Sequence, residues 1–355
     1  MSCLEDLSGE ILMTIFEYMN IEDIWTVFFH MNTRFNNLVF DSRLRLVADT
    51  SNIEEYNFDR FCSSLTKTNF NNIYVLILSN NYYRYPQIRQ FLSYTNLSNF
   101  QCLYSLTLID INYNESIEIM QQIKQLNQLK HLHINTHEVY DDKQLANVTQ
   151  AVFDQPNIRA LALDLHEKIQ WLDTEMILLN NVEVLSLNFI NINHLFSLLS
   201  HCPNIRSLSM MLDSRNSLTT PTNNIPSLSE SQLLMEFPQI TNLRFYFRIF
   251  NDLVLAQLLT SLPSIKRFSI DTIINNKDHI RAPFWTSLLQ ERLPLLERIR
   301  LVVRTWNMEK SSNYIDENQQ NPIGGYKYDR YWLDKAHKKI FTCSTNSDSM
   351  VLQIR

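Results

Sequence analysis

Pro203-Asn204-Ile205-Arg206-Ser207-Leu208-Ser209-Met210 carries the phrase that organises this chain. Proline comes first. Two positions later stands an apolar residue, then two of any kind, then an apolar residue, any residue and a second apolar one. Four other stretches keep the proline: Pro156 to Leu163, Pro238 to Phe245, Pro263 to Ile270 and Pro294 to Leu301. Four more lack only the proline: Ile73 to Leu78, Leu103 to Leu108, Leu129 to Ile134 and Val182 to Leu187. Nine copies spaced 23 to 35 residues apart mark a stack of similar units. Such stacks present extended surfaces to partners.

Each phrase alternates with period two, the mark of a short strand with one buried face. Between phrases the apolar spacing is helical, as in Ile117, Ile119, Met120, Ile123 and Leu126, or Leu195, Leu198 and Leu199. Leu253, Leu255, Leu258, Leu259 and Leu262 form a third such run. Proline between helix and strand cannot continue the helix, and it sits where no ladder donor is lost. Strand–helix alternation also describes a doubly wound α/β sheet. Its strands would be buried on both faces and read as continuous apolar runs. Here the alternate positions hold Ser, Thr, His, Asn and Arg, which favours one open face.

The 355 residues carry a net charge of −6, which gives no broad footprint for nucleic acid or anionic lipid. No stretch approaches the ~20 apolar residues of a membrane span. Glu5, Asp6 and Glu10 stand where a signal peptide would place a basic and then an apolar run. Cys3, Cys62, Cys102, Cys202 and Cys343 are scattered without metal or redox spacing. The expectation is reduced thiols in the cytoplasm or nucleus. Only three glycines occur, Gly9, Gly324 and Gly325, too few in any one segment for a phosphate-cradling loop. Metalloprotease, lipase-elbow, kinase and P-loop signatures are missing, so no catalytic residue and no cofactor is expected. His131 and His133 share one sheet face, but no third ligand lies at an obvious position, so no metal site is expected.

The first forty-five residues have a different grammar. Ser8 is placed to cap a helix bearing Ile11, Leu12, Ile15, Phe16 and Met19. Asn20 opens a second helix with Ile24, Phe28 and Met31, and a third holds Phe35, Leu38 and Val39. Three such helices alone make only a marginal domain, which gains from a partner covering its remaining apolar surface.

Cys202-Pro203-Asn204-Ile205-Arg206-Ser207-Leu208-Ser209 resembles the repeats of the leucine-rich-repeat class of F-box proteins. No fixed asparagine follows each strand, although Asn112 and Asn191 sit near that place. Leu7-Ser8-Gly9-Glu10-Ile11, Ile15-Phe16-Glu17-Tyr18-Met19 and Asn32-Thr33-Arg34-Phe35-Asn36-Asn37-Leu38-Val39 resemble an F-box, in the order that class uses. Ser8 departs from the family's usual proline. The resemblance implies an α/β fold: a leucine-rich-repeat solenoid with parallel strands on the concave face and helices on the convex face, behind a small N-terminal three-helix F-box domain. The expected divisions are 1–45 for the F-box, 46–69 for a connector, 70–304 for the solenoid and 305–355 for a C-terminal cap.

The resemblance further implies the target-receptor subunit of an SCF-type (Skp1–cullin–F-box) ubiquitin ligase. The residues facing the Skp1 adaptor would be Leu7, Ile11, Ile15, Phe16, Ile24 and Phe28. Two alternatives stand beside it. The helices could simply cap the solenoid, with Ile15 and Phe16 turned inward, and the repeats could be an interaction scaffold with no ubiquitin role. No nucleic acid or membrane partner is expected, and the target protein is unidentified.

The residues between the core positions change character along the chain. Val75, Ile77, Ser79, Ser105 and Thr107 are small or apolar, His131, His133, Asn135, Ala160, Ala162, Asp164, Ser186 and Asn188 are mixed, and the last strands turn basic. Arg244, Tyr246, Arg267, Asp271, Arg298 and Arg300 are therefore the candidate target-binding residues, because clustered guanidinium groups favour acidic or phosphorylated segments. The alternative is that these arginines solvate an exposed sheet face and pair with Asp271. Residues 213–231 read as an exposed loop. The run from Tyr326 to Trp332 reads as a cap over the last repeat, and Met350 to Ile354 as a final strand.

Overall fold

A computed structural model describes residues 4–29, 31–51, 53–66, 70–80, 86–136, 138, 140–165, 179–190, 192–212, 236–247, 255, 258–274, 293–305, 341–346 and 349–354. The expected loop at 213–231 and the aromatic-basic run at 326–332 lie outside them. Two compact units divide the chain, Met1–Glu167 and Lys168–Arg355.

The first unit opens with three helices, α1 (Gly9–Glu17), α2 (Ile21–Val27) and α3 (Thr33–Val39). Five parallel strands follow in sequence order: β1 (Leu46–Asp49), β2 (Ile73–Ser79), β3 (Ser105–Ile109), β4 (His131–Asn135) and β5 (Ala160–Asp164). Helices α4 (Glu55–Thr66), α5 (Gln87–Tyr94), α6 (Tyr113–Ile123) and α7 (Asp142–Phe153) alternate with them. The second unit has β6 (Val184–Ile190), α8 (Ile192–Ser200), β7 (Ser207–Leu212), β8 (Asn242–Phe247), β9 (Arg267–Ile274) and β10 (Arg298–Thr305), the five strands again parallel and in order. β11 (Phe341–Asn346) and β12 (Ser349–Ile354) form an antiparallel hairpin, with β12 on the edge of β10. Met350 to Ile354 is thus a strand, and β11 is its unforeseen partner.

All nine phrases lie on β2 to β10, and their fourth residues pair in register. In the first unit the line runs Leu76, Leu106, Leu132, Leu161. In the second it runs Leu185, Leu208, Leu243, Phe268, Ile299. Every described apolar position of the phrases is at most 4% exposed, so the repeat is a repeat of core contacts. Burying each such side chain contributes roughly 1.5–3 kcal/mol. The positions between are half-exposed or exposed on β3, β4, β5, β8 and β9. One face of these strands is therefore open, unlike a doubly wound sheet. Ser79 is the exception, buried at the end of β2.

The span expected to be a connector, 46–69, contains β1 and α4. β1 pairs with β2, with Ala48 opposite Leu76. It is a degenerate copy of the phrase whose Ala48 and Thr50 are buried where other copies carry large apolar residues.

Amide and carboxylate groups tie the strand ends of the first unit together. Asn80 donates from Nδ2 to Glu115 Oε2 at 2.8 Å and to the Asp110 carbonyl at 3.2 Å, while its Oδ1 accepts the Ile88 N–H at 2.9 Å. Asn135 Oδ1 accepts the Asp110 N–H at 3.4 Å, and Asn135 Nδ2 donates to Asp164 Oδ2 at 2.9 Å. Asn112 has another task. It caps α6 in a capping box with Glu115, as Asp141 does for α7 with Gln144. Asn191 lies outside the described residues.

Candidate interaction surfaces

The N-terminal helices are built around aromatic rings. Phe16 meets Phe28 at 4.9 Å and Phe35 at 6.4 Å between ring centres, and Phe28 meets Phe35 at 5.4 Å. Ser8 caps α1, its Oγ accepting the Ile11 N–H at 3.4 Å. Asn32 caps α3 and also donates to Glu5 Oε1 at 2.7 Å. The Arg34 guanidinium donates to the carbonyls of Glu5 and Leu7. Together Asn32 and Arg34 fasten the turn that presents Leu7. A Cβ on Gly9 would stand 3.3 Å from Leu38 Cδ2, so the glycine lets α1 approach α3 closely. Asn20 opens α2 without a side-chain cap bond. Its amide instead exchanges two hydrogen bonds with the Asp49 backbone, at 3.0 and 3.2 Å, fixing the helices to β1.

This packing divides the six expected adaptor-facing residues. Phe16, Ile24 and Phe28 are buried and form the core. In the chain by itself these three side chains are turned inward. Ile11 is 49% exposed, and Leu7 and Ile15 are half-exposed. Helix α1 is thus apolar on two sides, with Leu12 and Phe16 inward and Ile11 and Ile15 outward. Tyr18 extends the outer row by one turn. Of the nine large apolar side chains left exposed among the described residues, six precede residue 41: Leu4, Ile11, Tyr18, Val27, Met31 and Phe40. Exposed apolar side chains are thus concentrated in the first forty residues and sparse in the rest of the described chain.

The open face of the second unit carries a different site. Register places Ser207, Asn242, Arg267 and Arg298 in one row across β7 to β10. Ser209, Arg244, Ser269 and Arg300 form the next. Adjacent strands are about 4.8 Å apart and alternate residues about 6.6 Å, so the four guanidinium groups stand over one small field. An open groove of about 630 Å³ lies there, with Arg244, Arg267, Arg298 and Arg300 on its walls. Ser207, Asn242 and Ser269 complete its polar lining, and no carboxylate lines it. The Arg244 guanidinium lies 4.8 Å from the centre of the Tyr246 ring, which holds it in place.

Tyr246 and Asp271 face each other in register but do not line the groove. Among the described residues no ion pair joins a carboxylate to the side chain of Arg267, Arg298 or Arg300. Ser207, Asn242 and Ser269 went unnoticed in the sequence, although period-two alternation puts them on the face of the arginines.

Among the described residues the open-face positions of the first unit carry no such cluster. Arg45 lies 4.8 Å from the Tyr74 ring centre, Tyr74 stacks on Tyr104 at 4.8 Å, and Tyr104 meets His131 at 4.7 Å. Burial lowers the pKa of His133. Among the described residues no three His, Cys, Asp or Glu side chains gather as a metal site would require. No described helix is long and apolar enough to cross a membrane. No family model matches this chain. No curated protein matches it significantly.

Proposed function

We propose that this protein is the target receptor of an SCF-type ubiquitin ligase, its N-terminal helices forming an F-box and its strand–helix units a leucine-rich-repeat solenoid. The observation that carries the reading is helix α1, which keeps a full apolar row outward although its inner face already supplies the core. A helix that served only as an end cap would turn a polar face to water. In this reading Leu7, Ile11 and Ile15 dock on the Skp1 adaptor, and the cullin scaffold is reached through it. The repeats hold a target protein, and the receptor makes no bond itself. It raises the local concentration of the target's lysines at the ubiquitin-charged enzyme.

A second reading, a scaffold with no ubiquitin role, draws on the bonds between Asn20 and Asp49, which make the helices an end piece of the sheet. Affinity capture from cells separates the two. Full-length protein is expected to retain a Skp1–cullin pair, and the Ile11→Glu, Ile15→Glu double variant to lose it while remaining folded. Absence of the pair from the wild-type capture decides for the scaffold.

A further inference from the structure

We propose that the groove on β8, β9 and β10 is a phosphate-monoester site that takes a phosphorylated segment of the target protein. That the phosphate is carried by a protein rests on the receptor reading above. The anion site itself rests on the groove.

Its lining offers hydrogen-bond donors and no acidic group: four guanidinium forks, the hydroxyls of Ser207 and Ser269, and the Asn242 amide. A carboxylate has two oxygens and one charge, which a single bidentate arginine satisfies. Three of the four forks would then face only water. A phosphate monoester brings about two charges and three acceptor oxygens, so arginines from neighbouring strands can grip it together. Arg267 and Arg298 are register partners, and Arg300 follows Arg298 on the same face. Arg244, set over Tyr246, approaches from two strands away with less side-chain freedom to lose.

The neighbouring positions on the open face limit the ligand's size. Ser186, Ser209 and Met211 are uncharged, so these open-face positions of β6 and β7 add no cation to the four arginines. A nucleic-acid backbone, with a charge at every residue, calls for a stripe of cations rather than one field. An extended peptide with one or two phosphates fits a patch of three strands.

The test uses the full-length protein and degenerate peptide pools with a fixed central phosphoserine, phosphothreonine or phosphotyrosine, beside pools with the unphosphorylated residue or aspartate. At least one phosphorylated pool is expected to bind tenfold or more above both its counterparts. Arg298→Glu with Arg300→Glu should abolish that difference, and Arg298→Lys with Arg300→Lys should weaken it several-fold, because lysine keeps the charge without the fork. Inorganic phosphate should compete only at far higher concentration than the peptide. Equal binding of aspartate pools, stronger competition by single-stranded RNA or by free phosphate, or unchanged binding in a folded R298E/R300E variant each overturns the proposal. Skp1 capture by R298E/R300E should be intact. Loss of capture in I11E/I15E beside retained phosphopeptide binding keeps the two questions separate.

Discussion

Ile11 and Phe16 sit five residues apart on one helix and separate what the fold needs from what a partner would use. Phe16 is fully buried between Phe28 and Phe35. Replacing it with alanine should cost about 3–5 kcal/mol, read as a shift in the denaturant midpoint. Ile11→Ala should stay within about 0.5 kcal/mol of wild type in the same measurement, yet weaken adaptor capture. Both residues belong to the apolar set that the sequence exposes, and only packing sorts them. An i, i+4 pattern on both sides of a helix does not say which side faces the core. Cysteine reactivity gives a second check at this scale. Burial pushes the thiols of Cys62 and Cys202 up to about 12, whereas Cys102 is exposed. Alkylation near pH 8 followed by peptide mapping should label Cys102 well before the other two.

Strands and helices were the most legible level of this chain. The phrase places β2 to β10 because parallel pairing in register repeats one core requirement per strand. It misses β1, where Ala48 and Thr50 fill the same places with less volume. The polar tie between strand ends also escapes the pattern. Asn80 follows the last apolar residue of its phrase by two positions, Asn135 and Asp164 follow theirs by one, and Asp110 joins the tie through its backbone. Asn80→Ala should destabilise the first unit by about 1–3 kcal/mol, because Glu115 and the Ile88 N–H lose a buried partner. Circular dichroism during denaturation would measure it. Tyr140 adds a pH signature. Its hydroxyl is buried against Ser116 and the Ile111 carbonyl, and burial raises its pKa from the ordinary 10 to about 12. The folded state favours the neutral phenol, so this contribution is complete below pH about 10 and is lost as pH rises through about 12. Tyr140→Phe should flatten the alkaline fall in stability over that window.

At the scale of the molecule, the two surfaces lie in different units: an apolar helix face in Met1–Glu167 and a basic groove in Lys168–Arg355. In the proposed receptor one unit carries the adaptor surface and the other the target surface. The sequence pointed to the late arginines because their strands repeat one phrase. It could not reveal that Tyr246 and Asp271 fall one row outside the groove while Ser207, Asn242 and Ser269 fall inside it, since that depends on cross-strand register. In the proposed receptor the outer face of α1 docks the adaptor, and calorimetric titration of purified Skp1 into full-length protein tests this. Saturable one-to-one binding is predicted, weakened tenfold or more by Ile11→Glu with Ile15→Glu at an unchanged unfolding midpoint. No binding to the wild type, or equal binding to the variant, would contradict it.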